Sequence, residues 1–172
     1  MKFLELAKKR CSVRKYEDKP VEQEKLERIL EAARVAPTAA NRQPHRILVV
    51  KTADGLAKLK KAGNVYEAPL AFVICADHAT SWKRPIDGKD VADIDATIVT
   101  THMMLEAADL GLDSIWVCFF DPATIKNEFA LPEGVEPINI LGIGYVAGDV
   151  KAPERHEVDR KPLAETVYYE TF

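Results

Sequence analysis

The chain carries no apolar run long enough to cross a bilayer. Its longest, Ala68 to Ala76, falls far short of the roughly 20 residues a membrane helix needs. Cysteine is scarce: Cys11, Cys75 and Cys118 are odd in number and far apart, with no C-x-x-C pair and no Cys/His cluster at zinc spacing. This argues against a disulfide framework or a structural metal and fits a reduced, cytoplasmic protein. Met1-Lys2-Phe3-Leu4-Glu5 lacks the basic-then-apolar order of a secretory leader. No P-loop and no Gly-x-Ser-x-Gly nucleophile elbow occur. An excess of one charge is missing too. The 24 Lys and Arg against 27 Asp and Glu leave a net charge of −3, mixed along the chain, which argues against a nucleic-acid partner.

What remains is ordinary globular material. The 172 residues, 47% hydrophobic and 30% charged, suit one domain over 1–172 with its own core. Apolar spacing predicts helices over 2–9, from Val21 or Glu22 to Arg34, from the Thr52 cap to about Lys61, over Val91 to Leu110 and over Pro122 to Phe129. Strands are predicted over Ile47–Val50, read as buried on both faces, and over Ala68–Ala76, Ser114–Phe119 and Ile138–Val146. A long loop spans Asp77 to Asp90, and a tail that is charged first and aromatic last ends at Phe172. The 91–110 helix is apolar nearly all round (Ile94, Ile98, Val99, Met103, Met104, Leu105, Ala108), so it needs cover on more than one side. Together with the tail aromatics, this points to a homodimer.

Candidate chemistry is thin. Asp95, His102, Glu106 and Asp109 form a stripe on that helix, but a second set of ligands is missing, so the stripe is expected to face solvent or a partner rather than a metal. Gly142-Ile143-Gly144 opens no helix and is rejected as a dinucleotide loop. Cys118, between Trp116, Val117, Phe119 and Phe120, is expected to pack in the core. The notable stretch is Arg10-Cys11-Ser12-Val13-Arg14, in which two guanidinium groups and a hydroxyl suit the oxygens of a phosphate. A chain with a phosphate grip and no acid–base machinery suits an organic cofactor that carries the chemistry itself.

Four segments together resemble the nitroreductase family of FMN-dependent oxidoreductases. They are Arg10-Cys11-Ser12-Val13-Arg14-Lys15-Tyr16, Ala36-Pro37-Thr38-Ala39-Ala40-Asn41-Arg42-Gln43-Pro44, Gly111-Leu112-Asp113-Ser114-Ile115-Trp116-Val117 and Arg160-Lys161-Pro162-Leu163. The resemblance implies an α+β fold, a central mostly antiparallel sheet flanked by helices, with the C-terminal tail crossing onto the partner of a homodimer. It implies FMN at the dimer interface, its phosphate gripped by Arg10, Arg14 and Arg160, with Ser12 near the ribityl chain or ring and Cys11 among the cofactor-binding residues. Pro37, Thr38, Ala39 and Asn41 would come from the other subunit and lie against the flavin, while Trp116 and Val117 border the ring. The implied reaction is a ping-pong transfer from NADH or NADPH through FMN to a nitro compound, quinone or similar small molecule, with no catalytic side chain assigned. A flavin carrier or redox sensor without nicotinamide turnover is the alternative. The chain departs from the family where His45 replaces a frequent Trp, where Val158 or Lys161 stands at a frequent Lys, and where Cys118 aligns with an acidic residue. It is also short, so the helical roof of larger members is expected to be absent, with the 77–90 loop in its place.

Overall fold

The computed structural model describes residues 2–172. In chain order it contains α1 (Phe3–Lys9), α2 (Gln23–Val35), β1 (His45–Val50), α3 (Ala53–Ala62), β2 (Leu70–Asp77), α4 (Ala92–Asp109), β3 (Asp113–Val117), α5 (Pro122–Glu128), β4 (Val135–Gly144) and the single turn α6 (His156–Asp159). The four strands form one antiparallel sheet in the order β1-β2-β4-β3. Helices cover both faces, so the α+β expectation holds.

Strand β2 explains the layering. Every residue from Leu70 to Ala76 is buried, and alternate side chains supply two cores. Leu70, Phe72 and Ile74 meet α2 and α4 through Leu26, Ile29, Val99 and Met103. Ala71, Val73 and Cys75 face Leu59 of α3 and Ile125 of α5. Each of these large side chains stabilises the fold by about 1.5–3 kcal/mol on burial. Helix ends follow local chemistry. The Thr52 hydroxyl accepts from Gly55 N at 3.1 Å to start α3. Asp121 accepts from Ala123 N and Thr124 N to start α5, with Pro122 in the first turn. Gly111 leaves α4 at φ +74°, a left-handed exit that suits glycine.

Several expectations change. β1 begins at His45 and is an edge strand, and only Val50 is buried in it, so it is not covered on both faces. β4 starts at Val135, earlier than expected. Pro137 lies within it opposite Cys75, where the register shifts at a bulge and a missing N–H is tolerated. β3 stops at Val117, so Cys118 lies beyond the sheet and is exposed, contrary to the core placement expected for it, and Phe119 beside it is 94% exposed. The acidic stripe on α4 is dispersed. Asp95 is buried rather than facing solvent, the His102 ring meets Ile98 O at 2.8 Å, and Glu106 pairs with Arg28 at 2.7 Å.

The glycines at 142 and 144 are packing residues. A Cβ on Gly142 would lie 2.9 Å from Ile115 Cγ2, and one on Gly144 would lie 2.7 Å from Pro69 Cδ and 2.8 Å from Tyr16 Cδ1. The 77–90 loop is well braced. Asp77 N donates to Pro44 O, the Ser81 hydroxyl donates to Asp90, and His78 is held between Asp90 and Glu136. Among the described residues, no helix is long and apolar enough to cross a membrane.

Candidate flavin-binding site

After α1 the chain runs extended along the outer edge of β3. Ser12 bridges Ser114 in parallel, and Val13 N donates to Ser114 O at 2.9 Å. Extended backbone alternates its side chains. Cys11 and Val13 are therefore buried in the body, while Ser12 and Arg14 turn outward and Arg10 is half-buried. This alternation makes Arg-x-Ser-x-Arg a one-sided grip. Cys11 offers a ligand only its backbone, because its thiol faces the core.

The tail closes the grip. Arg10, Ser12 and Arg14 line a cavity of about 260 Å³ with Lys151, Arg155, His156, Asp159 and Arg160. Arg155 Nη2 donates to Arg10 O at 2.6 Å, and the His156 ring meets Lys8 O at 3.1 Å, so α6 is docked on the end of α1. Arg160 Nε reaches His156 Nδ1 at 3.5 Å. Beside the cavity, the Arg14 guanidinium lies 5.6 Å from the centre of the Tyr66 ring.

Charge in this cavity is unbalanced. It holds five cationic side chains and one carboxylate, and that carboxylate, Asp159, faces Lys151 at 3.9 Å. None of the four arginines has a carboxylate within ion-pair distance among the described residues. Burial, then the Arg155 charge and, more weakly, the Arg160 charge push the Arg10 pKa down, while Cys11 opposes this. Guanidinium does not shed its proton in proteins, so this concentration of like charge favours an anion in the cavity. A dianionic phosphate is a suitable occupant, because forked donors match its oxygens.

Trp116 and Val117 lie farther along β3, Trp116 half-buried and Val117 buried. They continue from Ser114 away from the cavity, on the track a chain-like ligand would follow from a phosphate held there. The segment at Pro37–Asn41 is elsewhere. It leads into β1, the opposite edge of the sheet, and at the opposite end: His45 pairs with Ala76, whereas the cradle lies beside Ser114, opposite Ile143 and hence Leu70. At ~3.3 Å per residue and ~4.8 Å per strand, the two places are roughly 20 Å apart in each direction within one chain. The structure thus gathers Arg10, Cys11, Ser12, Arg14 and Arg160 and separates Pro37, Thr38, Ala39 and Asn41 from them.

The tail's Lys151, Arg155 and His156 went unrecognised in the sequence. Their signal was a local excess of basic side chains within a stretch of mixed charge, with no helical period to align them.

A family model described as the nitroreductase family matches residues 7–64 and 54–145, most of the chain. The chain belongs to the nitroreductase family. A nitroreductase family protein from Clostridium difficile 630 is 55% identical over the full length of both chains, with a TM-score of 0.99. An FMN-dependent nitroreductase from Clostridium difficile R20291 is 30% identical, covering 99% of this chain and 100% of that one, with a TM-score of 0.82. A Methanothermobacter thermautotrophicus protein, whose name joins NADH dehydrogenase and NAD(P)H nitroreductase, is 30% identical over 168 residues, 93% of this chain and 85% of that protein. At TM-scores of 0.99 and 0.82 over essentially the whole chain, the two solved structures share its fold.

Proposed function

We propose that this member of the nitroreductase family is an FMN-dependent NAD(P)H oxidoreductase acting as a homodimer on a small oxidised molecule such as a quinone or nitro compound. The observation that carries the reading is the cradle of Arg10, Arg14, Arg155 and Arg160 around Ser12, a concentration of positive charge without carboxylate partners. Family membership and the names of the relatives support FMN and nicotinamide as the pair it uses. Bound FMN supplies the redox chemistry, taking electrons from NADH or NADPH and passing them to the acceptor.

The chain's own residues bind and orient. Arg10, Arg14 and Arg160 hold the phosphate, with Arg155 as a fourth cation that also fixes the Arg10 backbone. Ser12 and the Cys11 backbone lie next to the ribityl chain, and Trp116 and Val117 border the ring. Pro37, Thr38, Ala39 and Asn41 reach the flavin from the partner subunit, because in one chain they lie on the far edge of the sheet. The dimer is supported by the exposed Leu163, Tyr168, Tyr169 and Phe172 of the tail, apolar surface that a partner subunit would cover if the tail crosses onto it. It is also supported by a groove of about 810 Å³ between α1, α2 and α4, whose apolar lining includes Phe3, Leu6, Val35 and Leu105. The same reading places the protein in the cytoplasm, where nicotinamide is abundant and cysteines stay reduced.

The test is to load the purified protein with FMN and add NADH or NADPH without oxygen. The flavin colour should bleach, then return on addition of a quinone or nitro compound. A protein that binds FMN and bleaches with neither nicotinamide would be a carrier or sensor, and one that takes up no FMN would refute both.

A further inference from the structure

We propose that Asp95 is the positioning residue that sets the Thr38–Asn41 turn against the flavin of the partner subunit. This rests on the shared site proposed above.

The turn is built from unfavourable backbone. Ala40, Asn41 and Gln43 have φ of 47°, 52° and 51°, a left-handed region that Asn41 tolerates but that the Cβ of Ala40 and Gln43 disfavours. Such a conformation persists only where its surroundings over-determine it, and segments of this kind gather at ligand clamps. Internal bonds fix its shape: Asn41 N donates to Thr38 O at 3.0 Å, Arg42 N to Ala39 O at 3.0 Å, and Gln43 N to the Thr38 hydroxyl at 3.1 Å. Those bonds do not say where the turn sits. Its place is set by Ala39 N, which donates to Asp95 Oδ1 at 2.8 Å across 56 positions of sequence. A longer contact, Arg46 Nη1 to Gln43 O at 3.3 Å, comes from an exposed side chain on the strand the turn itself leads into.

Asp95 is suited to hold a position. It is 1% exposed and lies near the start of the 18-residue α4, where the aligned peptide dipoles favour a carboxylate. His45 stands at the head of β1 and Asn139 on β4. Burial first, and then the Arg46 charge, push the His45 pKa down against the pull of Asp95, so the ring is neutral near pH 7. Asn139 Oδ1 accepts from the Thr100 hydroxyl at 3.1 Å. Asp95 Oδ2 has no hydrogen-bond partner, and neither does His45 Nδ1. A buried carboxylate with one bonded oxygen is poorly suited to supplying stability. Its one directed bond goes to the backbone of the turn that the flavin meets.

The experiment titrates FMN and riboflavin into the full-length protein and into D95A, D95N and A39P, following flavin fluorescence and the visible circular dichroism of the bound flavin. The turn meets the ring, whereas the phosphate cradle lies elsewhere. D95A should therefore weaken FMN and riboflavin by the same factor, about five- to tenfold, and alter the dichroism. D95N keeps an oxygen acceptor and should recover affinity to within about twofold. A39P deletes the donor instead of the acceptor, at the first position of the turn where proline is tolerated, and should reproduce D95A even where D95A does not fold. Unchanged flavin affinity and dichroism in D95A or A39P would overturn the assignment. So would a loss confined to FMN, or a D95N variant as impaired as D95A. Failure of the unmodified protein to bind either flavin overturns the shared-site reading itself and is seen before any variant is made.

Discussion

Replacing Arg10 with alanine separates the phosphate grip from every other source of flavin affinity. Arg10 is half-buried, shares its cavity with Arg14, Arg155 and Arg160, and has no carboxylate to neutralise it. A charge-assisted bond from such a group to phosphate contributes about 1.5–3 kcal/mol. At about 1.4 kcal/mol per decade, Arg10→Ala should weaken FMN by roughly ten- to 150-fold. Arg14 is exposed and more screened by water, so Arg14→Ala belongs at the low end, about tenfold. Riboflavin, which has the ring and ribityl chain but no phosphate, should bind both variants within about twofold of the unmodified protein. The FMN-free variants should not be grossly destabilised, because removing one guanidinium relieves repulsion as it removes packing. A melting temperature within about 4 °C of the original is expected. Fluorescence quenching at fixed ionic strength reads both ligands. The reasoning is refuted if FMN affinity is unchanged in both variants, or if riboflavin is lost in parallel with FMN.

Three further outcomes follow from the geometry. The His78 ring contacts Asp90 at 3.0 Å and Glu136 at 2.9 Å, and the Asp90 bond first, with Glu136 assisting, raises its pKa. Burial acts to raise the Asp90 pKa, but the Ala92 amide, the Ser81 hydroxyl and the His78 ring outweigh it and hold that carboxyl down to about 2. The charged ring's stabilisation is fully present below the ordinary histidine value and is lost as pH rises through the raised one. His78→Gln should therefore abolish a stability decrement of less than about 1 kcal/mol on the alkaline side, read as melting temperature against pH. Gly144→Ala forces a Cβ into Pro69 and Tyr16 and should cost about 1–3 kcal/mol in denaturant unfolding, while a tolerated alanine would contradict the close packing. In FMN-free native protein, Cys118 alone of the three cysteines should react rapidly with a thiol reagent. Cys11 and Cys75 are buried, and burial pushes the Cys75 thiol up to about 11.

Much of this was legible in one dimension because it rests on short periods. The i, i+3, i+7 placement of Leu26, Ile29 and Ala33 marked α2, and the unbroken apolar run through Phe72 and Ile74 marked a strand, although the cover on both faces was expected of Ile47–Val50 instead. Two guanidinium groups and a hydroxyl within Arg10–Arg14 marked a phosphate grip, and extended backbone then puts Ser12 and Arg14 on one side. What failed depended on partners distant in sequence. The strand expected from Ile138 begins at Val135, because Pro137 is accommodated at a bulge opposite Cys75. Cys118 has apolar neighbours in sequence, but β3 ends one residue earlier and leaves the thiol in the open. Arg155 and Lys151 carry no period and gain meaning only when α6 docks on α1. Asp95 looked like one member of a stripe, because nothing local shows that its partner is the backbone of Ala39.

The central claim is that each flavin is held by two chains, the cradle of one and the Pro37–Asn41 turn of the other. Sedimentation of the FMN-loaded protein over a dilution series, monitored at the flavin absorbance and at the protein absorbance, tests it most directly. The account predicts one FMN per chain travelling with a dimer, and release of flavin at the same dilution at which the dimer dissociates. Flavin that stays bound to a sedimenting monomer would contradict it.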